Sequence, residues 1–355
     1  MIDYLVVGSG LAGISFCERL QQHGHSYRVV SDNSQQASKV AGGLYNPIIL
    51  KRLTMAWKAA EQLAMALPFY ADLEKKLSVA LDHKVAVFRK FASIEEQNNW
   101  FAAMDKPGFD AFLSPRLQSN THPHIEAPYG FGEVMQTGRV DTKVLLDAYR
   151  KYLTKQKVLK EEAFDHTILT LGKDHVSYKG QTYKQLVFAE GFGMRNNPFF
   201  GYLPMNGTKG ELLTVKIPGL GLEQVLKSGV FMIPLGGEHY RIGATYKWKD
   251  KTNIPTEAAK TELLDKLKTL LKVDVELVEH VAGIRPTVAD RRPLVGRHPE
   301  YPQLYLLNGF GSRGVLIAPY ASLGLYQLIE NGTALDEDMD LSRFTKKYYA
   351  AGSAN

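Results

Sequence analysis

Tyr4-Leu5-Val6-Val7-Gly8-Ser9-Gly10-Leu11-Ala12-Gly13 is the stretch whose reading decides the fold of this chain. Leu5, Val6 and Val7 form a short apolar strand. Gly8, Gly10 and Gly13 follow at G-x-G-x-x-G spacing, directly ahead of a helical pattern that carries Ile14, Cys17 and Leu20 and stops at Gly24. Each glycine has a separate duty: Gly8 closes a tight turn, Gly10 lets a pyrophosphate approach the backbone, and Gly13 lets helix and strand pack closely. Leu11 and Ala12 open the helix, so free N–H groups and the positive helix end face the phosphates. The expectation is a strand-turn-helix unit that binds a dinucleotide, and NAD would satisfy it as well as FAD.

Working outward, Tyr27–Ser31 reads as a second strand with Asp32 at its end, 19 residues after Gly13. A carboxylate there accepts hydrogen bonds from an adenosine ribose. Ser31 is the competing position, and an Asp after a strand also serves as a turn residue. Ala37–Pro47 is dense in small residues, including Ala41, Gly42 and Gly43, as expected of backbone pressed against something flat or bulky. Leu53 to Leu67 has a helical period that Pro68 should end or kink. Pro107–Gly132 reads as a long irregular segment; its His122-Pro123-His124 lacks a third ligand nearby, so no metal site is expected. Asp141 is placed to cap a helix from Thr142 to Leu153. Leu212–Val215, Val230–Pro234 and Tyr240–Gly243 read as an antiparallel set. Glu276–Ala282 and Leu304–Leu307 are strands, the latter followed by Gly309–Gly314 and a long helix. Two glycine-rich strand-to-helix turns, far apart in the chain, suit one elongated ligand held at both ends.

The 355 residues allow one large domain or two, and 45% hydrophobic with 23% charged residues describes an ordinary globular protein. The net charge of +6 is spread along the chain. Its densest run, Arg150, Lys151, Lys155, Lys157 and Lys160, reads as a solvated helix face rather than a nucleic-acid patch. Cys17 is the only cysteine, which excludes an internal disulfide and suits a reducing cytoplasm. The apolar stretch Val315–Ile329 contains Pro319 and is too short to span a bilayer. The expectation is a cytoplasmic protein without a membrane segment.

In order, these motifs resemble the D-amino-acid oxidase and glycine oxidase family of FAD-dependent oxidoreductases. The resemblance rests on Gly8–Gly13, Ser38–Pro47, Ile242-Gly243-Ala244-Thr245, Gly283-Ile284-Arg285-Pro286 with Asp290, Pro293 and Gly296, and Gly309–Gly314. It implies an α/β fold, α+β taken whole: a Rossmann-like FAD-binding domain interleaved with a mainly antiparallel substrate domain. The implied division is 1–80, 138–200 and 281–355 against 81–137 and 201–280. It also implies non-covalent FAD, since no cysteine lies near the flavin. Gly8, Gly10, Leu11, Ala12 and Gly13 would hold the pyrophosphate, and Asp32 or Ser31 the ribose. Ala41, Gly42, Gly43 and Gly191 would approach the cofactor, and the amides of Gly311, Ser312, Arg313 and Gly314 would face the flavin pyrimidine.

Arg285 matches the family arginine that pairs with a substrate carboxylate beside the flavin, where two parallel N–H bonds orient the acid as a lysine cannot. The competing reading is an ion pair with Asp290. Tyr246 matches a position lining the pocket. The chain departs from the family at Glu190-Gly191, where a small residue is common, and at Lys209-Gly210-Glu211, where Arg-Gly-Gln often stands. Its later motifs, Gly311-Ser312-Arg313-Gly314, Ala318-Pro319 and Leu335-Asp336 to Arg343-Phe344, are similar to the flavin domain of a bifunctional tRNA 5-methylaminomethyl-2-thiouridine enzyme. The implied activity is hydride transfer to flavin N5 from the carbon next to nitrogen in an amino acid or N-substituted glycine, a small-molecule partner. Oxidation of a tRNA wobble uridine is the alternative, and a non-catalytic flavin-binding module is the alternative of another class.

Overall fold

The computed structural model describes residues 1–32 and 34–345. Two eight-stranded sheets carry the fold. The first is built around Ile2–Val7, flanked by Tyr27–Val30 and then Leu159–Lys160 on one side and by Gln181–Phe188 and then Leu304–Asn308 on the other. All these pairings are parallel. Leu5, Val6 and Val7 are buried because both faces of the strand are covered, which is why they form an unbroken apolar run. Val6 packs with Ile14 and Leu20 of the first helix, Leu11–Gln22, and with Val315 and Leu325 of the long helix Gly314–Asn331. Leu5 and Val7 face the other way, into Leu186, Phe188, Met194 and Phe200.

The second sheet is mainly antiparallel. Its order is Glu276–Arg285, Thr208–Lys216, His239–Gly243, Phe231–Gly236, Val225–Lys227, Val87–Lys90, Phe131–Val134 and Leu113–Gln118, with a parallel pairing of Val225–Lys227 to Val87–Lys90. Leu213, Val215, Met232 and Ile242 alternate onto the face that meets Leu263 and Leu267 of the helix Glu257–Lys268. The opposite face meets the segment of small residues. A Cβ on Gly42 would lie 3.0 Å from Ile233 Cδ1, and one on Gly283 would lie 2.7 Å from Val40 Cγ2. The density of small residues in 37–43 therefore marks where this segment presses against the second sheet.

Proline misleads twice. A single helix, Ala59–Leu77, runs through Pro68, although an interior proline costs about 3 kcal/mol. Leu63, Phe69, Tyr70 and Leu73 are buried along that helix, and at about 1.5–3 kcal/mol per buried large apolar side chain they outweigh the lost bond. The expected helical turns ahead of Ala59 instead hold the short strand Thr54–Met55, paired with Ile48–Ile49, and a left-handed Lys58 at φ 46°. Within Pro107–Gly132, the strand Leu113–Gln118 carries Pro115 at the sheet edge, where the ladder shifts register between Leu113 and Leu117. An edge is where a residue without an N–H is tolerated. Among the described residues no helix is long and apolar enough to cross a membrane.

Candidate active site

The glycine turn is tight where sequence spacing expects it. Gly8 has φ 105° and its Cβ would fall 2.4 Å from the Ala189 carbonyl oxygen, while a Cβ on Gly13 would fall 1.9 Å from that of Gly8. Neither position accepts a side chain. Gly10 differs: among the described residues, its chain neighbours apart, the Ser38 side chain alone lies within 4 Å of where its Cβ would be. The Leu11 amide donates to Ser38 Oγ at 3.3 Å, and the helix that begins there has neither a side-chain cap nor an acidic residue in its first turn. Ser9 donates to Ser31 at 2.9 Å, which holds Ser31 against the turn. Asp32 is exposed and its Oδ1 accepts the Ser34 amide at 2.9 Å, as an Asp in a turn does.

The long helix Gly314–Asn331 starts beside this turn, because a Cβ on Gly314 would lie 3.2 Å from Leu11 Cδ1. It too lacks a side-chain cap and a first-turn acid. The Gly311 amide is taken by the Pro286 carbonyl at 3.1 Å and the Arg313 amide by the Phe310 carbonyl at 3.1 Å. Among the described residues, the Ser312 and Gly314 amides have no such partner. Ala41, Gly42 and Gly43 complete the wall: Gly43, at φ 67°, leaves no room for a Cβ against the Val140 carbonyl. Two helix N-termini whose N-cap residues make no side-chain cap lie side by side, bordered by Gly10 and Ser38, and suit a bridging pyrophosphate at one and an electron-accepting ring at the other. FAD, the cofactor implied by resemblance, fits these residues.

Sequence reasoning missed Asn308. Buried at the end of its strand, it donates through Nδ2 to the Gly191 carbonyl at 2.9 Å and accepts the Gly309 amide at 2.8 Å through Oδ1. It thereby pins Gly191, at φ 56°, to the second glycine turn. Its signal was an Asn-Gly pair closing an apolar strand. Glu190, one of the departures from the family pattern, is held by Asn197 Nδ2 at 2.7 Å and lies 3.2 Å from His166 Nε2.

Arg285 ends the strand Glu276–Arg285, opposite Thr208 in register. Its guanidinium lies over Gly210, where a Cβ would come within 2.0 Å of Nη2. Nη1 donates to the Thr245 carbonyl at 3.2 Å, and Cζ sits 4.3 Å from the centre of the Tyr246 ring. Burial pulls the pKa of Arg285 below its ordinary value, against the pull of the Tyr246 phenol. Asp290 is not its partner: that carboxylate binds Arg343 Nε at 2.8 Å. Among the described residues Arg285 has no ion pair at all, which removes the structural competitor considered from sequence. Tyr246 is 58% exposed, so its ring borders solvent on the side away from the guanidinium it stacks on.

The departure at Lys209-Gly210-Glu211 supports this group from behind. Glu211 and Thr245 are joined twice, Glu211 N to Thr245 Oγ1 at 3.0 Å and Thr245 N to Glu211 O at 3.2 Å. The Glu211 carboxylate accepts from Thr256 N at 2.7 Å and Oγ1 at 2.9 Å, with His280 Nε2 at 3.0 Å. Lys209, fully buried, reaches Asp250 Oδ2 and the Ile254 carbonyl, each at 2.5 Å. A charged pair is tolerated this deep because its partners are many and close. Thr245, whose carbonyl receives Arg285, is held through its hydroxyl and its amide by the Glu211 backbone.

A family model described as FAD dependent oxidoreductase matches residues 3–326. Among curated proteins, the glycine oxidase of Bacillus subtilis (strain 168) is 26% identical over 235 residues, covering 62% of this chain and 64% of that protein. The tRNA 5-methylaminomethyl-2-thiouridine biosynthesis bifunctional protein of Aromatoleum aromaticum is 24% identical, covering 90% of this chain and 55% of that protein. The chain thus spans less than two thirds of the length of these curated relatives. The crystal structure of glycine oxidase from Geobacillus kaustophilus superposes with a TM-score of 0.78 at 21% identity, over 96% of this chain and 98% of that one. That last likeness is one of fold.

Proposed function

Because the chain belongs to the FAD-dependent oxidoreductase family over residues 3–326, we propose that it oxidises the C–N bond of a carboxylated amine, an amino acid or an N-substituted glycine. The observation that carries this reading is the Arg285 guanidinium: desolvated, without a carboxylate, bedded on Gly210 and stacked on Tyr246. An ionic group removed from water without a counter-ion is costly, and a ligand carboxylate is the group that relieves it. FAD, when bound, would supply a two-electron acceptor for the hydride on the carbon next to nitrogen, and water would hydrolyse the imine that results.

The chain's own residues bind and orient. Arg285 grips the carboxylate in a fixed fork, and Tyr246 borders the same space, so the C–H bond is held at one angle to the acceptor. Such positioning supplies much of the rate without a side-chain base, provided the amine enters neutral. Gly8 to Gly13 and Ala41 to Gly43 hold the cofactor, with Gly191 alongside. Ser31 or Asp32 would hold the ribose, and the Ser312 and Gly314 amides would face the ring. In this reading 1–80, 138–200 and 281–355 form the cofactor domain and 81–137 and 201–280 the substrate domain; Asn33 and residues 346–355 lie outside the described residues.

Substituting Arg285→Met leaves FAD bound, as its visible absorbance reports, and abolishes anaerobic bleaching by carboxylated amines. Bleaching at the wild-type rate would refute the reading. A tRNA-borne amine is the second reading. It is favoured by the exposed rim Tyr246, Lys247, Trp248 and Lys249, in which aromatic faces alternate with cations as single-stranded nucleic acid requires. In the same assay, bleaching by tRNA bearing a carboxymethylamino group but by no free amine selects this second reading.

A further inference from the structure

Sequence reasoning gave Arg313 only a backbone role, yet its side chain is the second desolvated guanidinium at this site. Burial pulls its pKa below the ordinary value, as it does for Arg285, and the Tyr246 phenol acts electrostatically on both. Neither arginine has an ion pair among the described residues. Other partly buried arginines divide: Arg139, Arg241 and Arg89 pair with Asp141, Glu279 and Glu96, whereas Arg19 is held by hydrogen bonds to Gln22 and to the Pro319 carbonyl. Of the five N–H donors that a guanidinium carries, Arg313 spends one on the Asn46 carbonyl, through Nη1 at 3.0 Å. Asn46 closes the small-residue segment that borders the cofactor site. The two arginines stand on segments joined directly, by the Gly311 amide donating to the Pro286 carbonyl.

One carboxylate satisfies one such fork. We propose that Arg313 is a second anion anchor in the substrate site, so that the favoured substrate is an amine carrying two acidic groups, of the N-carboxymethyl amino acid class. This deepens the amine-oxidation reading and rests on it. Arg285 orients the acid next to the reacting carbon, and Arg313 receives the acid on the other arm of the nitrogen.

Calorimetric titration of the FAD-loaded protein with thiodiacetate, which has two carboxylates and no oxidisable amine, against (methylthio)acetate, which has one, tests the anchor without turnover. The wild type is expected to bind the diacid at least tenfold more tightly, and Arg313→Gln to bring that ratio close to one. Equal wild-type affinities overturn the proposal, and this arm needs no variant. A ratio unchanged in Arg313→Gln, or an equal loss for both acids, overturns it as well. If the wild type prefers the diacid tenfold and Arg313→Gln removes the preference while no amine bleaches the flavin, the anchor stands and the oxidation reading falls. If amines bleach the flavin but the ratio is one, the anchor alone falls.

Discussion

Gly210 decides where the Arg285 guanidinium can lie, because any Cβ there would occupy the space of Nη1 and Nη2. An arginine head group can move aside where backbone cannot, so Gly210→Ala should fold and load FAD yet displace the anchor. A charge-assisted hydrogen bond contributes about 1.5–3 kcal/mol, so affinity for a carboxylate ligand should fall by about tenfold or more. Spectral titration of the bound flavin measures this, and wild-type affinity in Gly210→Ala would refute the placement of Arg285. Sequence distance was a poor guide here. Asp290 stands close to Arg285 along the chain but pairs with Arg343, while the partner of Arg313, the Asn46 carbonyl, comes from the other end of the chain.

Among the elements, the helix Thr142–Lys155 is the clearest case of local sequence at work. Asp141 Oδ1 accepts the Val144 amide at 3.1 Å and Oδ2 accepts Arg139 Nη1 at 3.1 Å. Burial pushes this carboxyl up, but the Val144 amide and the Arg139 guanidinium together hold it below its ordinary 3.8. Replacing Asp141 by Ala should cost about 0.5–2 kcal/mol near neutral pH. Since the folded pKa is the lower one, the contribution is complete above 3.8 and fades as pH falls through the folded value. Denaturation midpoints of wild type and Asp141→Ala should therefore differ at pH 7 and converge in acid. A gap as wide at pH 3 as at pH 7 would argue against the carboxylate as its source. The cap was legible because it is a contact between near neighbours, whereas the helix through Pro68 was not, because burial of its apolar face outweighs a local rule.

For the whole molecule, the proposed reading has the two uncapped helix ends and the wall of Ala41 to Gly43, from separate parts of the chain, meet around one cofactor. Anything that binds the folded state alone stabilises it, by about 2.7 kcal/mol at a hundredfold excess over Kd. Stripping FAD should lower the thermal midpoint by several degrees, and adding it back should restore the original value. A midpoint indifferent to FAD would mean that these segments hold together without it. Folding also explains the departure at Lys209 and Glu211, which reads as a lost motif along the chain and in space is a buried charged cluster in which Lys209 meets Asp250 and Glu211 meets Thr256 and His280.

The sequence alone determined the parallel strand-turn-helix unit, the antiparallel set, the capped helix and the family. Those depend on periodicity, glycine spacing and bonds between neighbouring residues, which the chain carries locally. Only the tertiary structure decided that Arg285 and Arg313 lack counter-ions among the described residues, that Asn308 joins the two glycine turns and that Gly210 must stay bare. Whether a charge is desolvated and unpaired depends on every group that folding brings around it, and no spacing along the chain encodes that.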